Sequence, residues 1–351
     1  MFTFAFSKTN ILKQVHIQLA RRLKKELSMP RRIIITTHQG PDGDAMGASL
    51  ALYHFLKKQG HDVTVITPND YPDFLHWLPS NKHVVNYMRQ KLLAEALIEK
   101  AEYVFHIDYG QLRRSADMTR SLYHCKAVRI LIDHHLEPEL SAKYFFSETE
   151  VSSTCELLFC IMKQWDAGLI DHVIATCLYT GIMTDTGSFC YSSAGRQTFT
   201  VAAELMEYHI NREKIYDKVY DNYSENRMRL MGYCLNEKME VFPQYCAALI
   251  SLNLEEQKRY GFVVGDSEGY VNLPLSIKGI RFSAFFLEKE DKIKMSFRSK
   301  GNFSVNDFSK KHYGGGGHLN AAGGDSKIPM NELVQNFREL LPLYEKELNN
   351  E

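Results

Sequence analysis

This chain carries no excess charge: Lys and Arg together number 42, as do Asp and Glu, so the formal charge is zero. Without a global basic field to hold long nucleic acid, any nucleic-acid substrate has to be short or gripped locally, and long duplexes are not expected as partners. Long apolar runs are missing as well. No stretch approaches the roughly 18 consecutive apolar residues of a membrane span, and Met1-Phe-Thr-Phe-Ala-Phe6 is too short an apolar patch for a signal peptide. Cysteine is sparse and unpatterned. Seven residues, an odd number without a Cys-x-x-Cys pair, argue against both a disulfide framework and a thiolate zinc site. Internal repeats and low-complexity tracts are lacking too. These absences lead to the expectation of a soluble, cytoplasmic protein with reduced core thiols and no membrane attachment.

What is present is enough material for more than one core: 351 residues with 44% apolar content support about two domains. Residues 10–28 place Ile11, Leu12, Val15, Leu19, Leu23 and Leu27 at helical spacing, with Arg21, Arg22, Lys24 and Lys25 on a solvated face. Short β-branched or aromatic runs at 33–37, 62–66, 103–107 and 128–132 then alternate with helical patterns at 45–58, 152–165 and 171–183. That rhythm predicts an α/β fold with a parallel sheet and flanking helices. After about Ile210 the character changes. A charged, tyrosine-rich stretch is followed by strand-like runs at 245–252, 282–287 and 292–298 and a last helix at 331–348. The expected division is a catalytic domain over 1–210, a linker over 211–235, and a smaller α/β domain with a mixed sheet over 236–351.

Chemistry concentrates where the first domain's strands stop. His38, Asp42 and Asp44 share one short turn, Asp108 follows the third run, Asp133-His134-His135 follows the fourth, and Asp185 lies within Thr180-Gly-Ile-Met-Thr-Asp-Thr-Gly-Ser188. Ligands of open parallel sheets collect at the carboxyl ends of the strands. A lone Asp at a strand end is often a helix cap and a lone His is usually structural; four successive occurrences on one sheet edge point instead to a metal centre. Carboxylates mixed with imidazoles favour Mn²⁺, with Mg²⁺ or Co²⁺ as substitutes. Asp42 and Asp44 can face different ions from one turn, Asp108 is placed to bridge, and His134 and Asp185 can complete a second position. Two ions about 3.5–4 Å apart suit phosphoester hydrolysis. His135 is free to contact phosphate or to serve as an acid for the leaving oxygen, and Asp133 suits the orientation of an imidazole or a bound water. His106 and His124, which lack such context, are assigned to structure or surface.

These residues resemble the motifs of the DHH phosphoesterase superfamily, which includes RecJ-type exonucleases and family II pyrophosphatases. His38-x-x-Pro-Asp-Gly-Asp-Ala45, Asp108 followed by Arg113 or Arg114, Asp133-His-His135 and Gly181-Ile-x-Thr-Asp-Thr-Gly-Ser-Phe189 occur in that superfamily's order. The resemblance implies one Mn²⁺ on His38, Asp42 and Asp108 and another on Asp44, Asp108, His134 and Asp185. Gly40 and Ala48 stand where relatives commonly carry a polar residue and a Ser.

In the second domain, Gly314 to Gly317 can converge their N–H groups on an anion, with His318 beside them, although a glycine run also suits a flexible loop or tight turn. The sequence Gly-Gly-Gly-His318-Leu-Asn-Ala-Ala-Gly323 resembles the DHH-associated C-terminal domain, and Ser296-Phe-Arg-Ser299 resembles its substrate-gripping strand. The resemblance implies a phosphate held by Arg298, Ser299, His318 and the backbone of Gly315, Gly316 and Gly317. Ser153 and Thr154 are expected either to contact substrate or to cap a helix. The layout is similar to nanoRNases, bifunctional enzymes that cut short single-stranded oligoribonucleotides and dephosphorylate 3′-phosphoadenosine 5′-phosphate (pAp). A cyclic- or linear-dinucleotide phosphodiesterase and a non-catalytic nucleotide sensor remain alternatives, and a homodimer is compatible with the sequence.

Overall fold

The computed structural model describes residues 13–191 and 193–349. The N-terminal patch at 1–6, together with Ile11 and Leu12, lies outside the described residues. The chain divides into two units after Asn222.

In the first unit, α1 (Gln14–Glu26) precedes β1 (Arg32–Thr36), α2 (Gly43–Lys58), β2 (Asp62–Thr67), β3 (Val85–Asn86), α3 (Lys91–Lys100), β4 (Tyr103–Ile107), α4 (Thr119–His124), β5 (Val128–Asp133) and β6 (Tyr144–Ser147). Then come α5 (Thr154–Asp166), α6 (His172–Asp185), α7 (Arg196–Met206) and α8 (Arg212–Tyr220). Six strands pair in the order β3-β2-β1-β4-β5-β6, every neighbour parallel. The four strands expected from sequence are there, joined by the two-residue β3 and by β6. Alternation along β1 sends Ile33 and Ile35 to one face, against α1, α2, α5 and α6, and Ile34 to the other, against α3 and α4. Val15, read as part of the α1 stripe, is exposed; the face that packs is Ile17, Ala20, Leu23 and Leu27.

The strand order reverses between β1 and β4, and a crevice opens at the carboxyl ends of an α/β sheet at such a switch point. His38 and Asp108 leave the sheet on the two sides of it. Helix caps set the adjacent segments. Asp42 accepts from Asp44 N and Ala45 N and starts α2, and Asp171 accepts from Ile174 N and starts α6. Helix α6 runs to Asp185, two residues past its expected end.

The second unit comprises α9 (Glu225–Tyr233), β7 (Met239–Phe242), β8 (Ala247–Leu252), α10 (Leu254–Arg259), β9 (Phe282–Glu288), β10 (Ile293–Ser299), α11 (Val305–Tyr313), β11 (Gly316–Gly317), β12 (Ala321–Ser326) and α12 (Met330–Leu340). Its sheet has the order β11-β12-β10-β9-β8-β7 and is mixed, β8 and β9 being parallel and the other neighbours antiparallel. Phe282, Phe286, Phe297, Phe308 and Phe337 fill one face with α11 and α12, while Leu230, Cys234, Ile250, Phe285 and Tyr270 fill the other. The last helix, expected over 331–348, is broken: Pro342 sits in a short turn at Leu341–Tyr344, where its ring cannot continue an α-helix.

Residues 211–235, read as a linker, fold mostly into α8 and α9. Ile215 and Val219 of α8 join the first core, and Leu230 of α9 joins the second. All seven cysteines are free thiols. Among the described residues no helix is long and apolar enough to cross a membrane.

Candidate metal centre

The turn after β1 points His38 inward. Its Nδ1 lies 3.0 Å from the Gln39 carbonyl, which can only accept, so the proton sits there and Nε2 presents its lone pair to the crevice. That Nε2 is buried without a hydrogen-bond partner, 3.4 Å from Asp108 Oδ2 and 3.9 Å from Asp42 Oδ2. Asp42 divides its work: Oδ1 caps α2, and Oδ2 turns toward His38.

Across the crevice, His134 Nε2 lies 3.9 Å from Asp44 Oδ2, 3.6 Å from Asp108 Oδ1 and 3.5 Å from Asp185 Oδ2. Asp108 faces both groups, with φ +66° on a non-glycine residue, a left-handed conformation that the surrounding structure must stabilise. Three sets of ligand atoms, each mutually within 4.8 Å, share it: His38, Asp42 and Asp108; Asp44, Asp108 and His134; and Asp108, Asp133 and His135. Asp133 Oδ1 accepts from His135 N at 3.2 Å and from His135 Nδ1 at 2.8 Å, so it holds that imidazole in one orientation.

Charge explains what such an arrangement requires. Burial, and then repulsion from Asp108 and Asp185, pushes the Asp44 carboxyl well above its usual range. Burial also opposes ionisation of Asp108, but His135, His38 and His134 together outweigh it and hold that carboxyl low. His38 is drawn upward: burial works against its cation, and Asp108 and Asp42 prevail. Clustered carboxylates and an orphaned imidazole nitrogen fit a divalent cation, and the O/N donor mix is one that first-row divalent ions accept. His135, by contrast, is lowered by burial and stays neutral more readily than a free imidazole.

Sequence reasoning missed what steadies the carboxylates. The N-terminus of α5 grips Asp44 with two backbone donors, Thr154 N to Oδ2 at 2.7 Å and Cys155 N to Oδ1 at 2.9 Å. Thr154 Oγ1 donates to Asp108 Oδ1 at 2.8 Å. Ser153 caps α5 by accepting from Glu156 N at 3.1 Å. Both residues are fully buried in these bonds, so capping and carboxylate support, rather than substrate contact, is their place. Gly181 owes its identity to the same neighbourhood, since a Cβ there would stand 2.2 Å from Cys155 Sγ and 3.0 Å from Asp44 Oδ1. Behind Asp108, the structural reading of His106 fits: its Nδ1 meets the buried Tyr109 hydroxyl at 2.7 Å.

In the second unit, two expectations change. Arg298 and Ser299 lie on opposite faces of β10, because strand side chains alternate, and they cannot hold one phosphate together. Ser299 is buried on the core side, donates to Phe303 O at 2.7 Å and accepts from Asn320 Nδ2 at 2.9 Å, so it braces the 300–304 loop. Half-buried Arg298 donates through Nη1 to its own strand at Phe297 O. The glycine cradle is also largely spent internally. Gly314 N and Gly315 N go to Ser309 O, Gly317 N goes to Asn306 Oδ1, and His318 N goes to Ala321 O. Glycine is required at 315 because a Cβ would meet Gly323 O at 1.9 Å, and at 317 because one would meet Ala321 O at 2.3 Å with φ +156°. Gly316 has room for a Cβ at ordinary contact distance, its nearest neighbours being Asn306 Oδ1 at 3.6 Å and Lys310 Cε at 3.8 Å, and Gly314, where a Cβ would meet nothing within 4 Å, is held to glycine only by its φ of +61°.

Comparison with known proteins places this geometry. Residues 32–182 match the DHH family, N-terminal domain, and residues 247–349 match the DHHA1 domain. The bifunctional oligoribonuclease and PAP phosphatase NrnA of Thermus thermophilus is 29% identical over 90% of this chain and 90% of its own length; its Bacillus subtilis namesake is 25% identical over 86% and 91%. The crystal structure of an exopolyphosphatase-related protein from Bacteroides fragilis superposes with a TM-score of 0.91 at 42% identity, covering 97% of this chain and 100% of that one. RecJ from Thermus thermophilus in complex with Mn²⁺ shares the fold at 13% identity and a TM-score of 0.57, over 96% of this chain and 55% of that one. The chain belongs to the DHH family of phosphoesterases and carries its DHHA1 domain.

Proposed function

We propose that this protein hydrolyses phosphoesters of short oligoribonucleotides and of pAp with two Mn²⁺ ions at the β1/β4 switch point. The observation that carries this reading is Asp108, a carboxylate common to ligand groups on both sides of the crevice. His38, Asp42 and Asp108 would hold one ion, and Asp44, Asp108, His134 and Asp185 the other. When bound, such a pair supplies an activated water and stabilises charge on the attacking and leaving oxygens. The chain's own groups do the rest. Asp133 takes the Nδ1 proton of His135 in a hydrogen bond, which orients the ring so that a protonated Nε2 would donate to a phosphate oxygen or to the leaving oxygen. Arg298 and His318 are the side chains of the second unit that suit a phosphate, and Gly316, where a Cβ would meet only ordinary contacts, suits close approach of a substrate. The names of the Thermus and Bacillus relatives support this substrate class.

The test is a side-by-side assay with Mn²⁺ of pAp, di- to pentaribonucleotides, linear and cyclic dinucleotides, pyrophosphate and polyphosphate. Turnover of pAp and of the shortest oligoribonucleotides is expected. Preference for pyrophosphate or polyphosphate would sink the nucleotide reading, and absence of any Mn²⁺-dependent turnover would leave a nucleotide sensor.

A further inference from the structure

Glu156 is a fully buried carboxylate that touches no residue assigned to a metal, yet it organises the turn that holds two of them. Its Oε2 accepts from Ser152 N at 3.1 Å, Ser152 Oγ at 2.6 Å and Thr198 Oγ1 at 2.9 Å. Ser153 in turn accepts from Glu156 N. The next residue, Thr154, is the one whose amide meets Asp44 and whose hydroxyl meets Asp108. Thr198 lies near the start of α7, the helix that follows the Asp185 loop, so one carboxylate ties that segment to the 152–154 turn.

A carboxylate's terminal torsion is broad and nearly two-fold, so a bridging Asp needs something to choose which oxygen faces which side. Here Oδ2 of Asp108 faces His38, and Oδ1 faces His134 and takes the Thr154 hydroxyl. Asp44 has each oxygen pinned by one amide of α5, with a lone pair left on each. We propose that Thr154 and Glu156 form a positioning latch for the metal ligands: Glu156 fixes the Ser152–Thr154 turn, and Thr154 sets the orientation of the Asp44 and Asp108 carboxylates toward the cations. This rests on the two-cation reading above. An ordinary capping residue would contribute to helix stability alone; the latch also governs metal affinity. Groups that orient ligands from behind typically change metal affinity or activity about 10- to 100-fold when removed.

The experiment is calorimetric titration of the whole, metal-stripped protein with Mn²⁺, alongside kcat and KM for pAp and the melting temperature. Thr154→Val keeps shape and backbone amide and removes only the hydroxyl. It is expected to weaken Mn²⁺ binding by about 10- to 100-fold and to lower kcat while KM stays within about twofold, with Thr154→Ser restoring both. Glu156→Gln should weaken Mn²⁺ binding in the same direction by a smaller factor. Should Thr154→Val fail to fold, Thr154→Ala and Glu156→Gln give the same readout. Wild-type Mn²⁺ affinity in Thr154→Val, or a fall in melting temperature alone in Glu156→Gln, would overturn the latch while leaving the metal centre standing. A wild-type protein that binds no Mn²⁺ would overturn both.

Discussion

Compare the strand ends of the first unit with the glycine run of the second. In the first, side chains that repel one another are forced together: Asp44, Asp108 and Asp185 gather around His134, and the backbone at Asp108 adopts a left-handed conformation to allow it. In the second, side chains are withdrawn, and β11 and β12 come so close that Gly315 and Gly317 have no room for a Cβ. The first arrangement costs folding energy that a cation can return, and the second is self-sufficient, most of its amides already bonded within the protein. Metal should therefore matter to the stability of one unit and not of the other.

The largest effect expected is at the bridge. Asp108→Ala removes the carboxylate common to both ligand groups, so Mn²⁺-dependent turnover of pAp should fall by more than the roughly 10²–10³-fold that loss of one preorganised electrostatic group costs. Near-normal turnover in that variant would end the two-metal assignment. Chelation sharpens the contrast on the stability side. At a free ion concentration about 100 times the dissociation constant, bound metal contributes about 2.7 kcal/mol, and hydrogen exchange after stripping should rise in the first unit only.

Acid should separate the units as well. Burial, and then the charge of Arg129, lowers His106 to about 3, whereas an unfolded His titrates near 6.5. Between those values the unfolded chain binds the extra proton, so the contribution of this group is complete above pH 6.5 and is lost as pH falls toward 3. The loss is of the order of 5 kcal/mol at its limit. His106→Asn, which cannot titrate, should flatten the acid limb of the melting profile; an unchanged limb would show that other groups govern it.

How much of this was legible beforehand follows from what a sequence can encode. The candidate ligands announced themselves because Asp and His are chemically costly at buried strand ends, and the four long strands because β-branched runs have few other uses. The amides of Thr154 and Cys155 have no sequence signature, since every residue but proline carries one. The two-residue β3 is too short for any periodicity to declare it. Ser299 is a different case: the two-residue period of a strand already places it opposite Arg298, and the shared-phosphate expectation overlooked that period. The amides of Gly314 and Gly315 are spent on closing the end of α11 at Ser309, a role a glycine after a helix commonly has and the phosphate expectation passed over, whereas Gly317 is bonded to Asn306 Oδ1, a partner no local pattern specifies.

Arg298 tests the second unit next. Arg298→Ala should raise KM for pAp by about 10- to 100-fold, the equivalent of one charge-assisted hydrogen bond of 1.5–3 kcal/mol, and leave kcat nearly unchanged. Ser299→Ala should lower the melting temperature through the 300–304 loop with little change in KM. Equal KM effects from both would mean that both meet the substrate, against the alternation of β10.

The smallest effect separates glycines that the fold needs from one that it does not. Gly315→Ala drives a methyl into the Gly323 carbonyl and should destabilise the second unit by about 1–3 kcal/mol, as overpacking does. Gly316→Ala meets only ordinary contacts, the nearest being Asn306 Oδ1 at 3.6 Å, so its stability should stay within about 0.5 kcal/mol of wild type, like other changes made where nothing is displaced. If position 316 is glycine for the substrate's sake, the added methyl should raise KM for pAp several-fold without moving the melting temperature. If KM and melting temperature both hold, Gly316 is incidental and the grip on phosphate is left to side chains such as Arg298.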